Sequence, residues 1–296
     1  MIIHKQYDIQ GHDDFELNIK RESKLTYHFA YNQEVTPKGI IFVIPGFGDD
    51  NNIDYQKNLL QHIAQAYNFL AVYVEYHACF NRVNETKNSA KLNFGAIDIE
   101  LLLQILKNYN ITLNEKYLDF SSILYQVNSA LSKLKETEQL NQDFLLDIWA
   151  TFFPAKNEYQ NFGVLQAVDI LTVLCHLKSI GYHTLIEHAP VIALGSSHGS
   201  YIANLLMKFA PSTFDVIIDN SCYIKPALNY IIGLEDNPKV TEYSFKISNY
   251  PHINLNVFTH THWTTNQQSS YNFTKSAYEI RDLSNSNQHN QRLCRR

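Results

Sequence analysis

The sequence predicts an α/β protein, a mostly parallel sheet with helices on both faces, and three observations lead there. Short apolar runs at Ile40–Ile44, Phe69–Val74 and Val191–Leu194 are continuous rather than alternating, as strands buried on both faces are. Stretches with apolar residues at helical spacing lie between them. The chain has 296 residues, 45% hydrophobic and 18% charged, which suits one large domain with a sizeable core, or a core domain carrying an insertion.

In order along the chain, Phe15–Ile19 and Leu25–Tyr31 are β-prone runs separated by a charged stretch, and they read as an antiparallel hairpin at the sheet edge. Ile40–Ile44 is a buried strand that runs into Pro45-Gly46-Phe47-Gly48. Asp54 to Asn68 has Leu59, Leu60, Ile63, Ala64 and Tyr67 on one helical face. Phe69–Val74 is the next strand, and it ends at Glu75-Tyr76-His77. Glu75 and His77 therefore fall where open α/β sheets bind ligands, at the carboxyl ends of strands, although a capping role suits them equally.

The alternation stops between residues 80 and 156. Helical runs at Ile97–Lys107, Ser121–Leu134 and Asp143–Phe153, without a comparable strand signal, read as a helical cap inserted into a core of residues 1–79 and 157–283. Its Phe144, Trp149, Phe152 and Phe153 would wall a pocket or dock the cap on the core, and docking is the expectation. A helix over Glu158–Ile180, stopped by Gly181, leads back to the core, and Phe214–Ser221 is a further buried strand with a polar end. The alternation of Ile253–Trp263 predicts one more strand, Ser276–Leu283 is a short helical candidate, and residues 284–296 form a patternless tail.

The stretch Ala189–Ala210 organises the rest. Val191–Leu194 reads as a strand, Gly195-Ser196-Ser197-His198-Gly199 as a tight turn, and apolar residues at 202, 205, 206 and 209 as a helix. G-x-S-x-G between a strand and a helix is the pattern of a nucleophile elbow, which lifts a serine hydroxyl, here that of Ser197, above the sheet edge. Gly195 and Gly199 would be glycine because a Cβ at either place collides with neighbouring backbone. The amide of His198 would point at a developing oxyanion from the amino end of the helix. The loop after Ile40–Ile44 would supply a second donor from Phe47 or Gly48.

Two edge strands, a Gly-rich loop after the third, an insertion, and G-x-S-x-G after the fifth make the sequence resemble the α/β-hydrolase superfamily over roughly residues 5–262. More narrowly, GSSHGSYIA with YQNFGVLQAVDIL upstream and IDNSCYIKPALNYI downstream resembles an α/β-hydrolase-like family encoded near flagellin-glycan and motility genes in bacteria. The superfamily resemblance implies an esterase-like site at Ser197, acting on an ester or O-acyl group of a small molecule or sugar.

In that superfamily the order is serine, acid, histidine. After Ser197 two strands are legible, and no third with a histidine loop. Three readings stay open. The carboxyl end of the fold, with the base, is missing from this chain. Alternatively, the triad is rearranged, with Asp219 as acid and His262 or His260 as base. Or the fold binds or scaffolds without turnover. His260 and His262 also have a spacing that suits metal ligation, but no third ligand lies close in sequence, so no metal and no cofactor are expected.

A net charge of -5 and a pI near 6.2 give no electrostatic footprint for nucleic acid. The four cysteines, at 79, 175, 222 and 294, are far apart, which points to neither a zinc site nor a disulfide framework and suits a reducing compartment. The first residues turn polar too soon for a secretory signal. No apolar run in the sequence approaches the roughly 20 residues of a membrane span, so a cytoplasmic location is expected. The oligomeric state is left open.

Overall fold

The computed structural model describes residues 1–15, 18–46, 53–80, 89–114, 116, 118–158, 163–222, 241–247 and 249–258. In chain order the elements are β1 (Ile2–Gln10), β2 (Lys24–Asn32), β3 (Ile40–Ile44), α1 (Ile53–Tyr67), β4 (Leu70–Glu75), β5 (Lys91–Asn93), α2 (Ala96–Lys107), α3 (Phe120–Glu136), β6 (Leu146–Phe153), α4 (Val164–Leu177), α5 (His183–His188), β7 (Val191–Ser196), α6 (His198–Phe209), β8 (Val216–Asn220), β9 (Thr241–Ile247) and β10 (Tyr250–Phe258). They divide into two compact units.

The first unit holds a six-stranded sheet of order β1-β2-β4-β3-β7-β8. β2 runs antiparallel to both β1 and β4, whereas β4, β3, β7 and β8 are mutually parallel. Every residue of β3 and β4 is buried, so both faces of the sheet centre are covered, as continuous apolar runs require. Leu60, Ile63 and Ala64 of α1 and Ile202, Ala203, Leu205 and Leu206 of α6 belong to the same core. This is the mostly parallel, helix-covered sheet expected of an α/β-hydrolase. From β3 the chain steps to one side, into β4, and later returns on the other side of β3 as β7. The gap between β3 and β7 is therefore a topological switch point, where crevices form at the carboxyl ends of strands.

The second unit holds a sheet of order β5-β6-β10-β9, with β10 parallel to β6 and the other pairs antiparallel. Its core joins Leu102, Leu106, Ile123, Val127 and Leu131 of α2 and α3 to Leu146, Ile148, Ala150, Ile253 and Leu255. Asp119 caps α3 by accepting from the Ser122 amide at 3.0 Å.

Several expectations need correction. The hairpin's first strand is Ile2–Gln10, not Phe15–Ile19; from Tyr7 onward it alternates half-buried and exposed residues, as an edge strand does. Leu146–Phe153 is a strand where a helix was expected, so the region is not wholly helical. Leu146, Ile148 and Ala150 alternate into the core, and the partner strand lies more than a hundred residues further on, in the register Ile253↔Leu146. β10 accordingly joins this second sheet and not the first. β8 is an edge strand with Val216 and Ile218 exposed, not a buried one. Finally, Val164–Tyr182 is long and apolar enough to cross a membrane, contrary to the sequence reading. Leu165, Ile170, Val173, Leu174 and Leu177 of that stretch are buried, and its Asp169 is wholly buried.

Candidate active site

One residue, Ser197, turns the chain from β7 into α6. It has φ 51° and ψ −114°, a combination that costs a residue with a Cβ about 1–3 kcal/mol. Ser197 is exposed while His198, Gly199 and Ser200, which follow it, are buried. Its amide donates to the Asn220 carbonyl at 2.8 Å, and its carbonyl accepts from the Ser200 amide at 3.0 Å. Backbone bonds thus fix the strained residue from both sides and leave its side chain facing outward.

The flanking glycines are what make the turn possible. A Cβ on Gly195 would stand 2.5 Å from the Gly199 carbonyl oxygen and from the Ser200 nitrogen. One on Gly199 would meet the Ile44 carbonyl and lie 2.5 Å from the Pro45 oxygen. Both distances are below any real carbon contact, so β7, α6 and the end of β3 approach one another too closely for another residue type.

The same proximity brings the turn after β3 to the serine. Ile44 lies opposite Gly195 in the ladder, and a Cβ on Gly46 would be 3.1 Å from the Ser197 Cβ. Tyr76, buried at the end of β4, donates its hydroxyl to the Pro45 carbonyl at 3.2 Å and holds that turn from the other side. The first amides of a helix have no acceptor within it and point along its axis, so the start of α6 favours negative charge beside Ser197.

Below this surface lies a group of buried charges that the sequence reading did not single out. Arg21 donates to Asp169 Oδ1 at 2.6 Å and to Glu158 Oε1 at 3.2 Å. The other carboxylate oxygens accept backbone amides of the turn after β4: His77 N–H to Asp169 Oδ2 and Ala78 N–H to Glu158 Oε2, each at 2.7 Å. Burial pushes the Asp169 carboxyl up to about 6, against the pull of the Arg21 guanidinium and the His77 amide. Gln166, one helical turn before Asp169, donates to the His77 carbonyl at 2.9 Å and bonds His198 Nε2 through its Oε1 at 2.7 Å. Burial pushes the His198 imidazole down to about 4, which keeps it neutral.

A family profile matches residues 5–294, nearly the whole chain. The chain belongs to that family, described as protein of unknown function (DUF2920). No curated protein matches it. Among solved structures it is similar to a highly thermostable carboxyl esterase from Bacillus coagulans in complex with glycerol, at 11% identity and a TM-score of 0.37, over 72% of this chain and 43% of that one. A peroxisomal α/β-hydrolase from Saccharomyces cerevisiae matches at 12% identity and a TM-score of 0.37, over 84% and 55%. A post-proline cleaving enzyme from Rickettsia typhi matches at 9% identity and a TM-score of 0.34, over 94% and 37%. The DUF2920 chain thus aligns with about half or less of the length of each of these structures, and likeness at this level identifies no substrate.

Of the residues the sequence offered for the site, Ser197, His198, Gly195 and Gly199 come together as described. Phe47, Gly48, His260 and His262 lie outside the described residues. Asp219 is exposed at the end of β8, where its carboxylate accepts the Cys222 amide and the Asn204 side-chain amide, each at 2.9 Å. These two bonds hold its carboxyl below the ordinary value. Glu75 and His77 are buried. Glu75 bonds His28 at 2.9 Å and Lys156 at 3.0 Å; burial alone would raise its carboxyl, but those two partners outweigh it and lower it.

What the sequence reading missed was Arg21, Tyr76, Glu158, Gln166 and Asp169. One signal could have found two of them. In VLQAVDILTVLCHL, Gln166 and Asp169 are polar residues three apart in the apolar first half of the helix, and so share one face.

Proposed function

We propose that this chain is a cytoplasmic serine hydrolase acting on an ester or O-acyl group of a small molecule or sugar. The observation that carries the reading is the exposed serine at φ 51°, ψ −114° between β7 and α6, at the switch point of the sheet. Ser197 Oγ attacks the acyl carbon and His262 takes its proton. The tetrahedral oxyanion is held by the amide of His198 and one from Phe47 or Gly48. Collapse of the adduct expels the alcohol, which takes the proton back from His262, and water then releases the acid by the same steps in reverse. Asp219 is the acid of this scheme; each of its oxygens already accepts one bond and has a lone pair left for an imidazole N–H. His198 is excluded as base, since its ring is buried and bonded to Gln166.

p-Nitrophenyl acetate tests the proposal. Hydrolysis by the wild type, lost in both Ser197→Ala and His262→Ala, is the expected result. Equal rates in Ser197→Ala and the wild type overturn it.

A second reading is a non-catalytic accessory protein linked to motility or flagellin glycosylation, and what supports it is the resemblance of GSSHGSYIA and its flanking segments to the motility-linked family. No turnover of any ester and no reaction with a fluorophosphonate between pH 5 and 9 would favour that reading.

A further inference from the structure

The buried network below the elbow ends on a single side chain with two different jobs. The Gln166 amide nitrogen donates to the His77 carbonyl at 2.9 Å, so its oxygen faces the other way, toward His198 Nε2 at 2.7 Å. That oxygen can only accept, so Nε2 of the imidazole carries the proton. All three residues are buried: Gln166 is 1% exposed, and His77 and His198 are each 3% exposed.

Each end of the bridge is anchored. On one side the His77 amide is bonded to Asp169, and Asp169 is paired with Arg21, so the turn after β4 is clamped by charge. On the other side His198 is the first residue of α6, directly after Ser197. The ring that Gln166 holds therefore belongs to the residue whose own peptide adjoins the serine.

We propose that Gln166 is a positioning residue of the serine site, holding the His198 ring and its peptide against the clamped turn after β4 so that the helix start faces the acyl oxygen in one fixed orientation. The inference rests on the hydrolase reading. A neutral amide is the group the bridge needs, because one end must donate and the other accept. A carboxylate in its place would set an oxygen against the His77 carbonyl, and two acceptors facing each other in a buried site repel. A protonated carboxyl would restore both bonds, its hydroxyl donating to His77 and its carbonyl oxygen accepting from His198.

The test follows from that difference. The rate at which a fluorophosphonate labels Ser197 is measured for wild type, Gln166→Glu and Gln166→Leu from pH 5 to 8.5. Each rate is divided by the folded fraction from circular dichroism, and Ser197→Ala serves as the blank. The expected result for Gln166→Glu is a rate close to that of wild type at pH 5 that drops at least tenfold below it as pH rises. That pH dependence of the ratio is something a merely structural role would not produce, because unfolding is already divided out. Gln166→Leu is expected to label at least tenfold slower at every pH; should it fail to fold, the Gln166→Glu ratio decides alone. If Gln166→Glu labels at the wild-type rate throughout, Gln166 does not position the site and the hydrolase reading stands. Absence of labelling in the wild type itself sinks that reading, and this inference with it.

Discussion

The turn after β7 and the turn after β4 each hold a residue other than glycine in the left-handed half of backbone space, Ser197 at φ 51° and Ala78 at φ 61°. They are held by opposite means. Around Ser197 the work is done by absent side chains: Gly195 and Gly199 let three backbone segments come into contact. Around Ala78 it is done by charge, with Glu158 and Asp169 accepting successive amides and Arg21 tying the two carboxylates together. The first arrangement is held by close backbone packing and backbone hydrogen bonds, whereas the second is held by buried ionisable groups, with the Asp169 carboxyl raised to about 6. The exposed serine is thus kept in a strained place chiefly by shape, and the one ionisable group beside it, His198, is held neutral by burial.

The largest effect expected from attacking this contrast is at Gly199. In Gly199→Val the new side chain meets the Ile44 and Pro45 carbonyls, which are backbone and cannot move aside. A loss of about 3 kcal/mol or more is expected, at the upper end of overpacking costs, and seen as a lower urea midpoint or as failure to fold. A variant as stable as wild type would show that the three segments are not in contact.

Next comes the charged turn. Asp169→Ala removes the carboxylate that accepts the His77 amide and leaves Arg21 with Glu158 as its remaining carboxylate in the group. Breaking a buried pair from one side costs about 3–5 kcal/mol, again read from urea unfolding. A loss below about 1 kcal/mol would mean that water reaches the cluster and screens it.

The smallest effects are those of pH. The His198 imidazole is pushed down from 6.5 to about 4, so the unfolded chain takes up the proton first, and His198's contribution to stability is lost as pH falls from 6.5 to 4. The Asp169 carboxyl is raised from 3.8 to about 6, so here the folded chain takes up the proton first, and that contribution is lost as pH rises from 3.8 to 6. The two oppose each other between pH 4 and 6, each by about 2–3 kcal/mol at most. The stability of wild type relative to His198→Asn should therefore shrink as the solution is acidified, and relative to Asp169→Ala it should grow. Identical signs for the two variants would contradict the assignment of one imidazole and one carboxyl to these opposite shifts.

The parts of this molecule that were legible in its sequence are those fixed by neighbours along the chain. Ile40–Ile44 and the strand, turn and helix around Ser197 were legible because a buried strand needs a continuous apolar run and a tight strand-to-helix turn needs glycines two residues away on either side. The second sheet was not. β6 owes its conformation to pairing with β10, and its aromatic residues fall by chance at helical spacing too. Edge position was equally hidden: Val216-Ile217-Ile218 has the composition of an interior strand, and only the absence of a neighbour beyond β8 among the described residues leaves it exposed. The charged cluster joins Arg21 to residues 137 and 148 positions further on, so no local pattern contains it.

The most direct measurement is to treat the protein with a fluorophosphonate, digest it and locate the phosphonyl group by mass spectrometry. If the exposed hydroxyl at φ 51° is an activated nucleophile, one phosphonyl group per chain is found on Ser197, and none in Ser197→Ala. An adduct on any other residue, or none in wild type, would contradict the account.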